Sequence, residues 1–321
     1  MKVVTGAAGF IGSCMTSKLN SEGVEDIVIV DDFSRQDRVL NWKNKKYLSA
    51  IDRKEFLQWF NDNAVQVDGV YHLGARTDTT EFDWKIFEEL NVEYSKSIWE
   101  ICAKHNIPLI YASSAATYGN GENGYSDSID NIERLKPLNP YGRSKQEFDI
   151  WQLKQEKRPD FWAGLKFFNV YGPNEYHKNR MASVVFHSFN QIKATGKVKL
   201  FKSYNKDYKD GWQLRDFVYV KDLVDIMFYL MQNKPASDIY NIGTGTARSF
   251  FDLASSVFNA MGRDIDIEFI PMPQDIRDKY QYYTQADIHK LQSKGYDKPL
   301  TTLENGVRDY VKNYLTGQSY L

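Results

Sequence analysis

Tyr141 and Lys145 stand four residues apart in the string Asn139-Pro140-Tyr141-Gly142-Arg143-Ser144-Lys145. Proline is suited to the first position of a helix, and residues four apart share a helix face. The spacing therefore sets a phenol beside an ammonium. A free phenol, with a pKa of about 10, is a poor base near neutrality. A neighbouring positive charge favours the phenolate. Such a pair can exchange a proton with a substrate hydroxyl. Ser113-Ser114 closes an apolar run, and a hydroxyl at Ser114 can bond the same substrate oxygen.

A second group of residues suits phosphate. Thr5-Gly6-Ala7-Ala8-Gly9-Phe10-Ile11-Gly12 follows a short apolar strand and opens a helical pattern. Gly6, Gly9 and Gly12 permit a tight turn, a close approach to a pyrophosphate and close packing of a helix on a sheet. The helix start adds unpaired amides and a positive dipole end. The next apolar run ends in Asp31, nineteen residues after Gly12. A dinucleotide site wants an acid there for the adenosine ribose hydroxyls. Lys145 can then hold the nicotinamide ribose while Tyr141 moves the proton.

These residues need strands that end where they begin. Strands are expected at 2–4, 26–30, 67–73, 108–112 and 161–168, with helices at 10–20, 54–60, 83–104 and 140–155. The stretch 32–53 is polar and basic and shows no period. Alternating strands and helices mean βαβ units and a parallel sheet. A doubly wound sheet holds ligands beyond its C-terminal strand ends, and every candidate above follows such an end. Past Asn169 the pattern loosens. Helices are expected at 181–194, 221–232, 249–261 and 301–314, strands at 216–220, 238–242 and 265–270, and an exposed loop at 203–214. The expected fold is α/β: a Rossmann-type doubly wound parallel sheet with a smaller, interleaved C-terminal α/β lobe. Residues 1–170 form the first domain, with 214–245 returning to it, and 171–321 the second.

Composition narrows the partners. The 321 residues can bury a large core. Lys plus Arg number 41 and Asp plus Glu 42, a balance that argues against nucleic acid or a membrane surface as partner. No apolar run approaches the ~20 residues of a membrane helix. The first strand begins at residue 2, so no signal peptide is expected before the fold. The two cysteines, Cys14 and Cys102, read as reduced core thiols rather than a disulfide framework. A cytoplasmic protein is expected. No His/Cys/Asp cluster has metal-ligand spacing, so no metal is expected. His72, on a strand, is assigned to packing.

The glycine-rich string, Tyr111-Ala112-Ser113-Ser114-Ala115-Ala116-Thr117-Tyr118-Gly119 and the Tyr141/Lys145 string resemble the nucleotide-sugar epimerases of the extended short-chain dehydrogenase/reductase superfamily. Downstream strings narrow the resemblance to the ADP-L-glycero-D-manno-heptose 6-epimerases. They are the run from Phe168 to Ser183, with His177-Lys178-Asn179-Arg180-Met181-Ala182-Ser183, then Arg215-Asp216-Phe217, and Lys279-Tyr280-Gln281 with Thr284-Gln285-Ala286-Asp287. The resemblance implies an isomerase that oxidises an ADP-heptose at C6 on a retained nicotinamide and returns the hydride to the opposite face, for lipopolysaccharide core synthesis. It implies NADP, with NAD the alternative, and a homo-oligomer such as a pentamer. Another nucleotide-sugar epimerase or reductase is the second reading. A dehydratase would carry an acidic pair where Ala115-Ala116-Thr117 stands. A silent dinucleotide-binding protein would not need Ser114, Tyr141 and Lys145 together.

Residue by residue, the resemblance gives the two acid–base roles to Tyr141 and Lys178, with Lys145 and Ser114 assisting. A lysine at its ordinary pKa of about 10.4 is protonated, so Lys178 needs desolvation or a neighbouring cation to act as a base. Phe10 and Ile11 cover the pyrophosphate. Asp31 and Asp32 end the second strand, and Arg38 and Arg53 fall where the family has basic residues near a 2′-phosphate. Leu73, Gly74, Ala75, Arg76 and Thr77, with Asn91 and Val170, line the cofactor. Asn169, Arg180, His187, Phe201, Lys202, Ser203, Tyr204, Arg215 and Tyr280 fall at substrate positions. Arg215 is the best candidate for the diphosphate, since arginine pairs with phosphate oxygens in bidentate fashion.

Overall fold

Alternate residues of each inner strand point to opposite faces, and both faces are buried. Val3, Val28, Val30, Val70 and Leu109 enter one core, while Val4, Ile27, Ile29, Tyr71 and Ile110 enter the other. That is the pattern of a parallel sheet covered on both sides by helices. The computed structural model describes residues 1–277 and 280–321. Lys279, quoted above in a family string, lies outside the described residues. The strands are β1 (Lys2–Thr5), β2 (Ile27–Asp31), β3 (Ser49–Asp52), β4 (Gly69–His72), β5 (Leu109–Ser114), β6 (Trp162–Phe167), β7 (Asn169–Tyr171), β8 (Val198–Phe201), β9 (Leu214–Tyr219), β10 (Asp238–Ile242), β11 (Ala247–Ser249) and β12 (Ile267–Ile270).

Seven strands form the main sheet in the order β10-β6-β5-β4-β1-β2-β3, and every pairing in it is parallel. This is the doubly wound α/β fold. From β1 the chain builds outward through β2 and β3, then crosses to β4 and builds the other way. The crevice at this reversal lies between the ends of β1 and β4, where such sheets take their ligands.

One residue past β6 the chain leaves the main sheet. β7 pairs with β9 in parallel, and β9 with β11 in antiparallel fashion. β8 and β12 form a separate parallel pair. The helix Val220–Asn233 turns back and packs on the first helix, Phe10–Ser21, with Lys18 and Asp225 paired at 2.6 Å. β10 then closes the edge of the main sheet beside β6.

The structure departs from the pattern in the sequence where elements are short. The stretch 32–53 contains the edge strand β3, only four residues long and half-exposed, which leaves no run of buried positions to read. β7, β8 and β11 are equally brief. The long helix expected at 83–104 comprises Trp84–Phe87 and Tyr94–His105, joined by a π-helical turn at Glu88–Glu93. Among the described residues, no helix is long and apolar enough to cross a membrane. Cys14 and Cys102 are free and buried, and burial pushes both thiols up, Cys14 to about 12.

Candidate active site

The turn after β1 is shaped by contacts that only glycine allows. Gly6 adopts φ +69°, and a Cβ on it would lie 2.7 Å from the Gly74 backbone in the turn after β4. A Cβ on Gly12 would strike the Gly6 carbonyl. At Gly9 a Cβ would meet only that same carbonyl, so this side of the turn is open. Gly9 caps the helix Phe10–Ser21 without a side-chain bond, and no acid occupies the first turn. The first-turn amides of Phe10, Ile11 and Gly12 thus keep their donors for a ligand.

Asp31 ends β2 almost fully buried. Its carboxylate accepts from the Ala8 amide at 2.9 Å and the Asp32 amide at 2.7 Å, and the Arg38 guanidinium stands 3.6 Å away. Burial raises the Asp31 carboxyl, opposed by these amides and by the charges of Arg38 and Arg53. Among the described residues, Arg38 Nε is buried without a partner. Asp32 is exposed more than Asp31, and its carboxylate is occupied by Ser34. Two cations therefore stand at the ribose end of the turn, one with an unused donor.

The catalytic candidates lie beyond β5. Asn139 caps the helix Pro140–Leu153 by accepting from the Gly142 amide at 2.8 Å, with Pro140 at the first position. Burial raises the Tyr141 phenol, and the Ser114 hydroxyl opposes it. Ser114 Oγ also accepts from the Ala116 amide. Lys145 Nζ donates to the Ala112 carbonyl at 2.8 Å, and burial lowers its pKa to about 8, opposed by Asp149. In this arrangement the Ser114 hydroxyl favours the phenolate.

The loop Leu73, Gly74, Ala75, Arg76, Thr77 crosses the reversal point and is held from behind. Asn91 accepts from the Arg76 amide at 2.7 Å and donates to the Arg76 carbonyl at 2.9 Å and to Ser144 Oγ at 2.9 Å. Asn91 is 1 % exposed, and these bonds fix the loop. It sits in the π turn, whose extra residue aims it there; such turns recur at functional sites. His72 continues the chain of bonds. Ser95 donates to the Asn91 carbonyl and accepts from His72 Nε2 at 2.9 Å; Thr5 accepts from the Gly74 amide and donates to Nδ1 at 2.8 Å. The network assigns a neutral Nε2–H imidazole, and burial pushes its pKa down to about 3.

An unfolded His72 takes up a proton below about 6.5, whereas the folded one stays neutral. Its contribution to stability is complete above pH 6.5 and is lost as pH falls toward 3. Melting curves at stepped pH will show a His72→Gln variant with a flatter decline between pH 6.5 and 4 than the parent protein. Parallel curves would contradict this.

Lys178 reaches the glycine-rich turn from a separate element. It lies in the 3₁₀ segment Tyr176–Met181 after β7, with Nζ 5.2 Å from the centre of the Phe10 ring. Burial lowers its pKa, opposed by Glu175. Asn169 and Val170, at the start of β7, follow β6 directly; Asn169 is exposed and Val170 half-buried. Arg180 is largely exposed, 3.8 Å from Asp78, and its carbonyl lies 3.4 Å from His187 Nε2. Arg180 thus sits beside the loop that carries Asp78 and Thr79.

Arg215, on β9, lies between aromatic rings, 5.4 Å from Tyr280 and 5.6 Å from Phe250. It donates to the carbonyls of Leu214 and Gln281. Tyr280 also meets Phe201 edge-on. Lys202 follows β8, Ser203 donates to the Asn205 carbonyl, and the Tyr204 amide donates to the Tyr282 hydroxyl. Phe201, Tyr204, Arg215 and Tyr280 are thus linked through the Tyr280 and Tyr282 rings. Next to Arg215, the Asp216 carboxylate accepts from the amides of Thr244, Gly245 and Ala286 and from the Thr244 hydroxyl, tying β9 to the end of β10.

Some contributors had no signal in the sequence. Asn41, 1 % exposed, donates to the carbonyls of Ala8 and Asn174 and so joins the glycine-rich turn to the Lys178 segment. It falls in the stretch without a period. Tyr125 donates to the Tyr283 carbonyl and meets the Tyr283 ring edge-on. Among the described residues no cluster could hold a metal ion.

Residues 2–243 match the NAD dependent epimerase/dehydratase family. The chain is 50 % identical to an ADP-L-glycero-D-manno-heptose-6-epimerase of Fusobacterium nucleatum over the whole of both chains. It is 48 % identical to one of Nitratidesulfovibrio vulgaris over 98 % of each. The crystal structure of the Helicobacter pylori ADP-L-glycero-D-manno-heptose-6-epimerase superposes with a TM-score of 0.83 at 28 % identity, covering 97 % of this chain and 95 % of that one. With the glycine-rich turn, the acid ending β2 and the Tyr141/Lys145 helix on one parallel sheet, these matches show that the chain belongs to the NAD dependent epimerase/dehydratase family.

Proposed function

We propose that the protein interconverts the C6 epimers of ADP-glycero-D-manno-heptose for lipopolysaccharide core assembly, using NADP and working as a homo-oligomer. The observation that carries this is the Lys178 ammonium over the Phe10 ring. It brings a second proton-transfer group to the turn that receives the dinucleotide, on a different element from Tyr141. The turn suits a dinucleotide: it is open at Gly9, has free first-turn amides, and is flanked by the unpartnered Arg38 Nε.

When bound, the nicotinamide supplies reversible hydride acceptance from C6. The chain's own residues handle protons and position. Tyr141 removes the proton from the C6 hydroxyl of one epimer and restores it, with Ser114 donating to the same oxygen. Lys178 serves the hydroxyl of the other epimer; its burial is what brings a lysine toward the working range of a base. Lys145 holds the nicotinamide ribose. Arg215 takes the diphosphate, and the surrounding Phe201 and Tyr280 rings offer surfaces for the adenine.

Incubation with ADP-D-glycero-D-manno-heptose, followed by NMR at C6, tests the function: both epimers should appear without added reductant. A single unchanged epimer would refute it. The choice of NADP has its own test. Arg38 offsets Asp31 and has a donor to spare, and a charge-assisted hydrogen bond contributes about 1.5–3 kcal/mol. Arg38→Ala should therefore weaken NADP about 10- to 100-fold in fluorescence titrations and leave NAD nearly unchanged. Equal losses for both would remove Arg38 from the 2′-phosphate.

A further inference from the structure

Glu175 has no solvent exposure at all, and the proton transfers described above do not use it. Three residues before Lys178, it accepts two hydrogen bonds from one residue. The Ser183 amide donates to Oε2 and the Ser183 hydroxyl to Oε1, both at 2.6 Å. These bonds join the two ends of the segment 175–183, which carries Lys178 between them.

Each end is itself anchored. Ser183 caps the helix Val184–Thr195, its hydroxyl accepting from the Phe186 amide at 3.2 Å. Asn174, before Glu175, takes the left-handed conformation at φ 75°. Its side chain donates to Ser13 in the first helix at 2.9 Å and accepts from the Leu321 amide at 2.9 Å. Between the anchors the backbone turns hard at Asn179, with φ 49° and ψ −128°. Such a conformation persists only when its surroundings over-determine it. The Lys178 amide donates to the Glu175 carbonyl at 3.0 Å. Burial raises the Glu175 carboxyl and lowers the Lys178 ammonium, and each group's charge opposes that effect on the other.

We infer that Glu175 is a positioning residue, whose carboxylate closes the 175–183 loop and thereby holds the Lys178 side chain over Phe10. The inference rests on the assignment of proton exchange to Lys178. Glutamine has the size of glutamate but no charge and a single acceptor oxygen. That oxygen can meet the Ser183 amide, while the NH2 group can only donate to Ser183 Oγ and turns the hydroxyl proton away, so two charge-assisted bonds give way to weaker neutral ones.

The test is a double-mutant cycle on the full-length protein with ADP-heptose as substrate, following kcat, KM and bound cofactor. Glu175→Gln should lower kcat about tenfold or more, the scale expected of a misplaced catalytic group, with KM within about twofold and cofactor content unchanged. In a Lys178→Met background the same change should cost less than about twofold, because residues acting as a unit are not additive. Ser183→Ala, which keeps the amide donor, provides a milder variant and should lose its effect in the same background. Undiminished cost in the Lys178→Met background, or wild-type kcat for Glu175→Gln, would overturn the inference. Wild-type kcat for Lys178→Met alone is a separate result: it removes the role of Lys178, and the inference with it.

Discussion

Replacement of Tyr141 by phenylalanine will lower kcat by about a hundred- to ten-thousand-fold, the range that a positioned acid–base group supplies. The fold and the bound cofactor should survive. The ring packs at the start of the helix Pro140–Leu153, and the group opposing the effect of burial on its hydroxyl is Ser114. Loss of the phenol oxygen thus removes the proton acceptor without opening the core. Single-turnover measurements, with cofactor content read from absorbance, check both halves of the prediction. Turnover near that of the parent protein would end the case for Tyr141.

Lys166→Met will have the largest effect on stability. Lys166 and Asp149 are both fully buried and paired at 2.7 Å. Lys166 Nζ also donates to Thr117 Oγ1 at 2.8 Å, while the Asp149 carboxylate accepts from Ser113 at 2.7 Å and Tyr111 at 3.1 Å. Five side chains from β5, β6, the following turn and the catalytic helix meet here. Removing the cation strands a carboxylate in the core, which costs about 3–5 kcal/mol. Thermal melts should show a large drop in Tm for Lys166→Met. Asp149→Asn combined with Lys166→Met should be less damaged than Lys166→Met alone, since the stranded charge is gone. A double variant as unstable as the additive sum would mean that the two do not act as a pair.

The parts of the fold that could be read from the chain are those with many buried positions in a row. Ile27–Asp31 is buried at every residue, and a run of four apolar residues ending in an acid announces both strand and site. β3 and β11 were invisible because three or four residues at a sheet edge, most of them half-exposed, carry no period. At the site, glycines and the Tyr141/Lys145 spacing carry their chemistry in residue type. The groups that hold them do not. Asn91, Asn41 and Glu175 work through bonds to backbone and hydroxyl groups distant in sequence. An asparagine or glutamate in such a position reads in the sequence like any surface polar residue. Lys145 shows a related limit: its spacing from Tyr141 is plain, but its bond to the Ala112 carbonyl depends on how β5 meets the helix.

The main sheet is finished by a strand that follows some seventy residues after β6, β10 against β6. A gene fragment ending near residue 170 would therefore leave the whole flank of Trp162–Phe167 without its hydrogen-bonding neighbour, along a run buried at every residue. Open flanks of that kind recruit other chains. Excising the first 170 residues as a self-standing nucleotide module should give aggregates rather than a miniature of the parent, and a tractable excision would have to carry residues 220–242 along.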